Sequence, residues 1–240
     1  AMMKKRLLII TALFSVSVAQ NIWWVDLKNG NNSNAGSTEA TAFKTVHHAL
    51  ESNTWSSGDT IKVKPSLASD GTLSYYDFGN DEIDIGSNKD FVLMGTGGAD
   101  STIFDAEEKN RHFNIRYTTS NTIIKGITFK NGTTSNWPGG GSIFLEYSNT
   151  ALQFVDCKWE NNFVVSNEGG GALIIRDGAT PSFTNCVFKN NYVDEEDGSN
   201  QGGAVNIQWP SNKVDLENTI YFKKTKFINN YLKVKHSAYG

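Results

Sequence analysis

Short segments of this 240-residue chain alternate hydrophobic and polar residues, and the segments recur at regular intervals. Residues 143–146, 173–176 and 205–208 each read apolar at the first and third positions and end on a charged or polar side chain. A period of two is typical of a β-strand with one buried face. Each segment also follows a glycine run. The pattern therefore predicts strands that are each preceded by a glycine turn.

A second phrase recurs between these strands. It places an aromatic residue two positions before an asparagine, at residues 127–132, 157–162, 186–191 and 225–230. The aromatic positions are 30, 29 and 39 residues apart, the last interval containing an insertion. A repeat of this length is typical of stacked supersecondary units. With about three short strands per repeat, we predict an all-β solenoid, a parallel β-helix.

The asparagines of this phrase have a predicted backbone role. Asn tolerates the left-handed conformation better than other residues with a side chain, so Asn131, Asn161, Asn190 and Asn229 are predicted to turn the chain. In a stack of equal coils their side chains would also form an amide ladder.

The two ends of the chain predict its organisation. Residues 1–19 combine Lys4, Lys5 and Arg6 with an apolar run and small residues, which is typical of a secretory signal peptide. Residues 20–60 are predicted to hold an amino-terminal strand and a helix at residues 43–51, with Thr45 as N-cap, that covers the first coil. Coils are predicted to fill residues 61–240. The pattern expects a further glycine run there, so we expect the natural protein to continue beyond residue 240.

The net charge of the chain indicates which classes of binding partner to expect. The chain has a net charge of −3, and without residues 1–19 it keeps 19 Lys and Arg against 25 Asp and Glu. An acidic surface argues against nucleic acid as a partner. No later segment is apolar enough to span a membrane, and we expect a monomer.

The repeats resemble those of known families. The pairs Phe188 to Asn191 and Phe227 to Asn230, with the runs 171–173 and 203–205, resemble the repeats of chlamydial polymorphic outer membrane proteins and related bacterial surface proteins. Residues 24–63 resemble the opening of pectin-lyase-like proteins. The resemblance implies a right-handed parallel β-helix and a secreted or outer-surface location in a bacterium. The same scaffold carries lyases, hydrolases and adhesins, so it leaves function open.

One row of outward residues is the candidate ligand-binding surface. Arg116, Glu146 and Arg176 are spaced by 30 residues, and Gln208 follows at 32. Tyr147, Asp177 and Trp209 lie at the ends of the same strands, and Tyr147 and Trp209 are candidates for stacking on sugar rings. The alternative is an exposed Arg-Glu-Arg ladder that only keeps strands in register.

No catalytic constellation is visible in the sequence. A lyase of this scaffold would need calcium-binding carboxylates and an Arg or Lys base, and the row holds only Glu146 and Asp177 as acids. A second acidic group, Asp194, Glu195, Glu196 and Asp197, is a weak candidate for calcium because it lacks alternating ligand spacing. A solvated loop is the alternative, and we expect no other cofactor.

The two cysteines occupy equivalent inward positions on neighbouring coils. Cys157 and Cys186 are predicted to be stacked free thiols, and a disulfide is the alternative.

Three functions remain open from the sequence. The first is a secreted or cell-surface protein for adhesion or for binding a polysaccharide or host glycan. The second is a polysaccharide lyase or glycoside hydrolase of the pectin-lyase-like class. The third is a structural stalk.

Overall fold

The computed structural model describes residues 20–51, 55–65, 76–77, 82–86, 89–135, 137–147, 150–165, 169–195, 202–208 and 219–234. These residues form short strands, one 3-10 helix at Glu39–Thr41 and one α-helix, α1, at Val46–Glu51. No helix among them is long and apolar enough to cross a membrane. The predicted signal peptide, residues 1–19, lies outside the described part of the chain.

The strands are short and follow one another closely. In chain order they are β1 Ile22–Val25, β2 Thr60–Val63, β3 Tyr76–Asp77, β4 Ile83–Ile85, β5 Val92–Gly95, β6 Ile103–Asp105, β7 Phe113–Arg116, β8 Thr122–Lys125, β9 Thr128–Lys130, β10 Thr133–Thr134, β11 Ile143–Glu146, β12 Leu152–Val155, β13 Lys158–Glu160, β14 Phe163–Val164, β15 Leu173–Arg176, β16 Ser182–Thr184, β17 Val187–Lys189, β18 Tyr192–Glu195, β19 Val205–Gln208, β20 Tyr221–Lys223, β21 Lys226–Ile228 and β22 Tyr231–Val234.

All strand pairs are parallel and build four sheets. Sheet 1 has the order β1-β2-β5-β8-β12-β16-β20, sheet 2 β3-β6-β9-β13-β17-β21, sheet 3 β10-β14-β18-β22 and sheet 4 β4-β7-β11-β15-β19. From β7 onward the chain visits sheets 4, 1, 2 and 3 in turn and returns to sheet 4 beside its previous strand. This confirms the predicted all-β parallel β-helix. A coil has four strands where three were expected, because a short sheet 3 strand follows each asparagine turn.

The amino-terminal helix is shorter than predicted. It begins at Val46, and the Thr45 hydroxyl accepts a hydrogen bond from the backbone N–H of His48 at 3.2 Å, which confirms Thr45 as a capping residue. Phe43 is instead bridged to Val25 in strand β1. Val46, Ala49 and Leu50 are buried against the core, so the helix covers the first coils as expected.

Aromatic side chains stack through the interior in two columns. Phe154, Phe183 and Phe222 have ring centres 5.2 and 4.7 Å apart. In the second column Trp159 lies between Phe129 at 5.5 Å and Phe188 at 4.6 Å, and Phe227 follows at 4.9 Å. Such pairs contribute about 0.5–1.5 kcal/mol each beyond the burial of their area. The repeated aromatic of the sequence phrase is therefore the main element of the core.

The asparagine turns divide two roles between neighbouring residues. Asn131, Asn161, Asn190 and Asn229 have φ between 52° and 56°, so their predicted left-handed conformation is confirmed. The amide ladder, however, is formed by the next residue along the chain in the last three turns. Those residues, Asn162, Asn191 and Asn230, point inward, because the side chain of a left-handed residue is directed away from the core.

The ladder satisfies backbone groups of the preceding coil. Asn162, Asn191 and Asn230 donate through Nδ2 to the carbonyl oxygens of Phe129, Trp159 and Phe188, at 3.0–3.1 Å. Each Oδ1 accepts from the residue one coil earlier, and the Asn162 and Asn191 amides are joined at 2.9 Å. Turn, aromatic column and amide ladder thus repeat together.

Glycine runs are required where sheet 3 gives way to sheet 4. Gly170 has a φ of +71°, and a Cβ at the next residue, Gly171, would lie 2.3 Å from the carbonyl oxygen of Gly203. One glycine supplies the left-handed conformation and the other the close approach of two coils.

The cysteines are free thiols, as predicted. Cys157 and Cys186 are buried, and burial raises the pKa of both groups, that of Cys186 to about 11. The Cys186 thiol contacts the carbonyl oxygens of Phe154 and Thr184. Thr225, at the equivalent position of the next coil, donates its hydroxyl to Phe183 and Lys223 at 3.4 and 3.3 Å. Thr225 therefore replaces a cysteine without loss of the contacts.

Candidate functional site

The outer surface of sheet 4 brings the candidate row together. Arg116 pairs with Glu146 in the strand register, and Arg176 pairs with Gln208. The Arg176 Nε lies 3.7 Å from Oε1 of Glu146, which joins the two halves of the row. The spacing of 30 residues therefore does place these side chains next to one another.

Arg176 is buried, unlike a residue of the exposed charge ladder that the sequence offered as the alternative. It exposes only 5% of its surface. The ring of Trp137 lies over its guanidinium, with the ring centre 4.3 Å from Cζ. Phe144 and Ile174, on the adjacent outward row, are buried as well. Trp137 and Gly140 thus lie against the outside of sheet 4, over Arg176 and Ile174 respectively.

Two carboxyl groups lie beside the buried guanidinium. Asp177 Oδ2 accepts a hydrogen bond from Arg176 Nε at 3.2 Å. Burial and a hydrogen bond with Asp177 raise the pKa of Glu146, although the charge of Arg176 acts in the opposite direction. The raised pKa of Glu146 follows from its partial burial and from the acidic neighbour that lies beside it.

A tyrosine pair borders this cluster. The rings of Tyr117 and Tyr147 stack with centres 4.9 Å apart and 8° between their planes. The negative charge of Glu146 is the main cause of a raised pKa at Tyr147. Tyr117, Tyr147 and Asp177 all have positive φ, between 53° and 76°, because each turns the chain out of sheet 4. The same turn therefore projects aromatic and acidic side chains beside the row.

Arg116 has different neighbours from Arg176. Its Nη2 donates to the Asp84 carboxylate, and this contact raises its pKa. Beyond Arg116 a groove of about 440 Å³ lies next to helix α1, lined by Trp55, Asp84 and Lys89 among others. Lys89 Nζ lies over the Trp55 ring, 4.9 Å from its centre. Arg116 thus belongs to the amino-terminal end of the surface, whereas Arg176 belongs to the Trp137 cluster.

The remaining candidates are only partly described. Trp209 lies outside the described residues, as do Glu196 and Asp197 and the side chain of Glu195. Asp194 is part of strand β18 and pairs with Lys233 at 2.8 Å. The first two residues of the acidic group, Asp194 and Glu195, therefore lie in a strand and not in a loop. Within the described ranges no group of three Asp, Glu, His or Cys side chains is arranged to hold a metal ion.

Trp137 is a candidate site residue that the sequence pattern did not identify. It exposes 61% of its surface although it is the largest apolar side chain of its loop. The sequence did contain a signal for its exposure. Trp137 lies outside every alternating segment, just before Pro138 and the glycine run, and a core tryptophan is not expected at such a position.

Comparisons with known proteins give no family assignment. No protein-family model and no curated protein matches this chain. Among solved structures it is similar to a GH136 lacto-N-biosidase from Eubacterium ramulus, at 11% identity and a TM-score of 0.36, over 88% of this chain. It is also similar to a pectin methylesterase from Aspergillus niger, at 10% identity and a TM-score of 0.36, over 93% of this chain and 88% of that one. The chain spans 41% of the lacto-N-biosidase structure. At these values neither likeness bears on the residues of the site.

Proposed function

We propose that this protein binds carbohydrate on the outer surface of sheet 4 and acts at or outside the cell surface. The observation that carries the proposal is the exposed ring of Trp137, held over a buried guanidinium and bordered by hydrogen-bonding side chains. An exposed, immobilised aromatic residue offers a flat apolar face to a pyranose ring at low entropic cost.

The polar neighbours supply the second requirement for sugar binding. Glu146 and Asp177 present carboxyl oxygens to the Arg176 guanidinium under Trp137, and Tyr147 adds a phenol beside Glu146. Sugar hydroxyls both donate and accept hydrogen bonds, so carboxyl and phenol groups beside an aromatic ring suit them. Net negative charge on the chain also disfavours nucleic acid as the ligand.

Replacing Trp137 with alanine is expected to weaken glycan binding at least ~10-fold, because the stacking face is lost. Binding of the purified protein to a glycan array, followed by titration calorimetry with the best ligand, measures the effect. Tyr221→Ala is the matched control, since Tyr221 is also an exposed aromatic residue but lies in sheet 1. Binding by wild type to no glycan on the array, or equal binding by the Trp137 variant, would refute the proposal.

One observation favours an enzyme as the second candidate. Glu146 has a raised pKa and a carboxyl partner, which is the environment of a general acid. The two carboxyls are hydrogen-bonded, however, and glycoside hydrolases of either stereochemistry hold theirs about 5–9.5 Å apart. Arg176 is held by two acids and covered by Trp137, which makes it a poor base for a lyase.

The substitution Glu146→Gln distinguishes a glycan-binding protein from an enzyme. An enzyme would lose at least ~100-fold of its activity on substitution of the acid, measured as reducing ends or unsaturated products released from glycan polymers. A binding protein releases neither product before or after the change. Arg176→Ala provides the corresponding test for a lyase, and activity that survives both substitutions would place catalysis outside this cluster.

A further inference from the structure

We propose that the Trp137 surface selects an uncharged pyranose ring, and that Arg176 is the positioning residue that fixes Trp137 for this task. The proposal rests on glycan binding at this site. In this proposal Glu146 and Asp177 hold Arg176 in place, and their negative charge repels acidic sugars.

The support of Trp137 is a layered arrangement. Its ring centre lies 4.3 Å from the guanidinium carbon of Arg176. The guanidinium is in turn held by Asp177 at 3.2 Å and by Glu146 at 3.7 Å. A planar guanidinium stacks on an aromatic face, and two carboxyl partners restrict its rotation. Trp137 is therefore held from below while its opposite face stays open to solvent.

The charge that a ligand meets beside Trp137 is acidic. The Asp177 side chain is 33% exposed and that of Glu146 13%, whereas that of Arg176 is only 6% exposed. A buried cation between two acids offers little attraction to an approaching anion. Arg116, the next cation along the row, lies beyond Glu146 and is paired with Asp84. A uronate or sulfated sugar would thus approach carboxylates, and like charges at short range reject it.

The positioning role predicts a change that is visible without any ligand. Arg176→Met keeps much of the side-chain volume but removes the planar cation, and we expect Trp137 to become more accessible to acrylamide. Because the chain has six tryptophans, each fluorescence measurement is compared with the same protein carrying Trp137→Phe. Glycan affinity is expected to fall ~10-fold in parallel.

Lys189→Met is the matched control, since it removes an exposed cation from strand β17 of sheet 2, outside the candidate row. It should leave Trp137 quenching unchanged and affinity within ~2-fold. Because Arg176 is buried, Asp177→Asn serves as a second variant that removes one of its partners at the more exposed edge. Unchanged Trp137 quenching in both Arg176→Met and Asp177→Asn would overturn the positioning role.

Selectivity is tested with two pairs of glycans, each pair consisting of a neutral glycan and its charged derivative. The probes are fully methyl-esterified homogalacturonan and the same polymer after de-esterification, and a neutral galacto-oligosaccharide with its sulfated form. We expect the neutral member of a pair to bind at least ~10-fold more tightly, and Asp177→Asn to narrow the difference. Equal or tighter binding of the charged member would overturn the selectivity. Binding to none of the four would also overturn the selectivity, whereas binding to no glycan on the array would reject glycan binding itself. The quenching experiment reports on Arg176 in either case.

Discussion

Replacing Asn191 with alanine is expected to lower the free energy of unfolding by about 3 kcal/mol. Asn191 is fully buried, and its Oδ1 accepts from the backbone N–H and from Nδ2 of Asn162 at 3.0 and 2.9 Å. Its Nδ2 donates to the carbonyl of Trp159 at 3.0 Å and to Asn230 at 2.9 Å. Alanine leaves these groups without their partner in a water-free interior, and each such loss costs about 1–3 kcal/mol.

The neighbouring residue provides a matched control for this prediction. Asn190 has a φ of 56° and contributes its backbone conformation, so Asn190→Ala should cost only about 1 kcal/mol. Asn190→Gly should stay within about 0.5 kcal/mol of wild type, since glycine adopts this conformation freely. Urea unfolding followed by far-UV circular dichroism measures all three.

Asn191→Asp distinguishes lost hydrogen bonds from lost volume. Aspartate has the shape of asparagine but cannot donate to Trp159 or to Asn230 when ionised, so it too should be strongly destabilising at neutral pH. If Asn191→Asp were as stable as wild type, or if Asn190→Ala cost more than Asn191→Ala, the assignment of the ladder would be wrong.

Lowering the pH from 7 to 4.5 is expected to cost about 2–3 kcal/mol of stability through His112 alone. This side chain is fully buried next to strand β7, and burial lowers its pKa from 6.5 to about 4. Its Nε2 lies 2.9 Å from the carbonyl oxygen of Phe104, so Nε2 carries the proton and donates it. Its Nδ1 then accepts from the Ser142 hydroxyl at 3.0 Å, which fixes the neutral tautomer.

The direction of the stability change with pH follows from the pKa of His112 in the unfolded and in the folded chain. Above pH 6.5 the imidazole is neutral in both the folded and the unfolded chain, and its contribution to stability is complete. Between pH 6.5 and about 4 only the unfolded chain binds the proton, so stability falls as the pH falls. Below about pH 4 both states are protonated, and the total loss levels off at about 3 kcal/mol.

His112→Gln isolates this contribution. The glutamine amide can donate to Phe104 but does not titrate, so the variant should be less stable at pH 7 and should lose the pH dependence assigned to His112. The difference between wild type and variant, from urea unfolding at several pH values, removes the effects of the carboxyl groups that both share. A difference that stays constant between pH 7 and 4.5 would contradict a buried neutral imidazole.

The periodic part of the fold could be predicted from the sequence because each coil repeats the contacts of the previous one. The aromatic residue of the repeated phrase stacks on its counterpart, so equal spacing identifies Phe129, Trp159 and Phe188 as one column. Left-handed asparagines could be predicted in the same way. The amide ladder was assigned one residue too early, because spacing alone does not tell which of two adjacent asparagines points inward.

The candidate site shows where periodicity fails as a guide. Spacing predicted that Arg116, Glu146 and Arg176 would lie in one row, and strand register places them there. Spacing also predicted that all three would face outward, yet Arg176 is buried and Arg116 is half-buried. The difference comes from Trp137, because the residue 30 positions later in the repeat, Asn167, is not aromatic.

The sequence by itself determined the solenoid, its inward residues and its turns, because these depend on short-range geometry that every coil repeats. Only the tertiary structure decided which outward residues become buried and which aromatic side chain covers them. Those outcomes depend on one side chain that does not repeat, Trp137, whose ring lies over Arg176. A long-range contact of this kind, made once, leaves no period in the sequence.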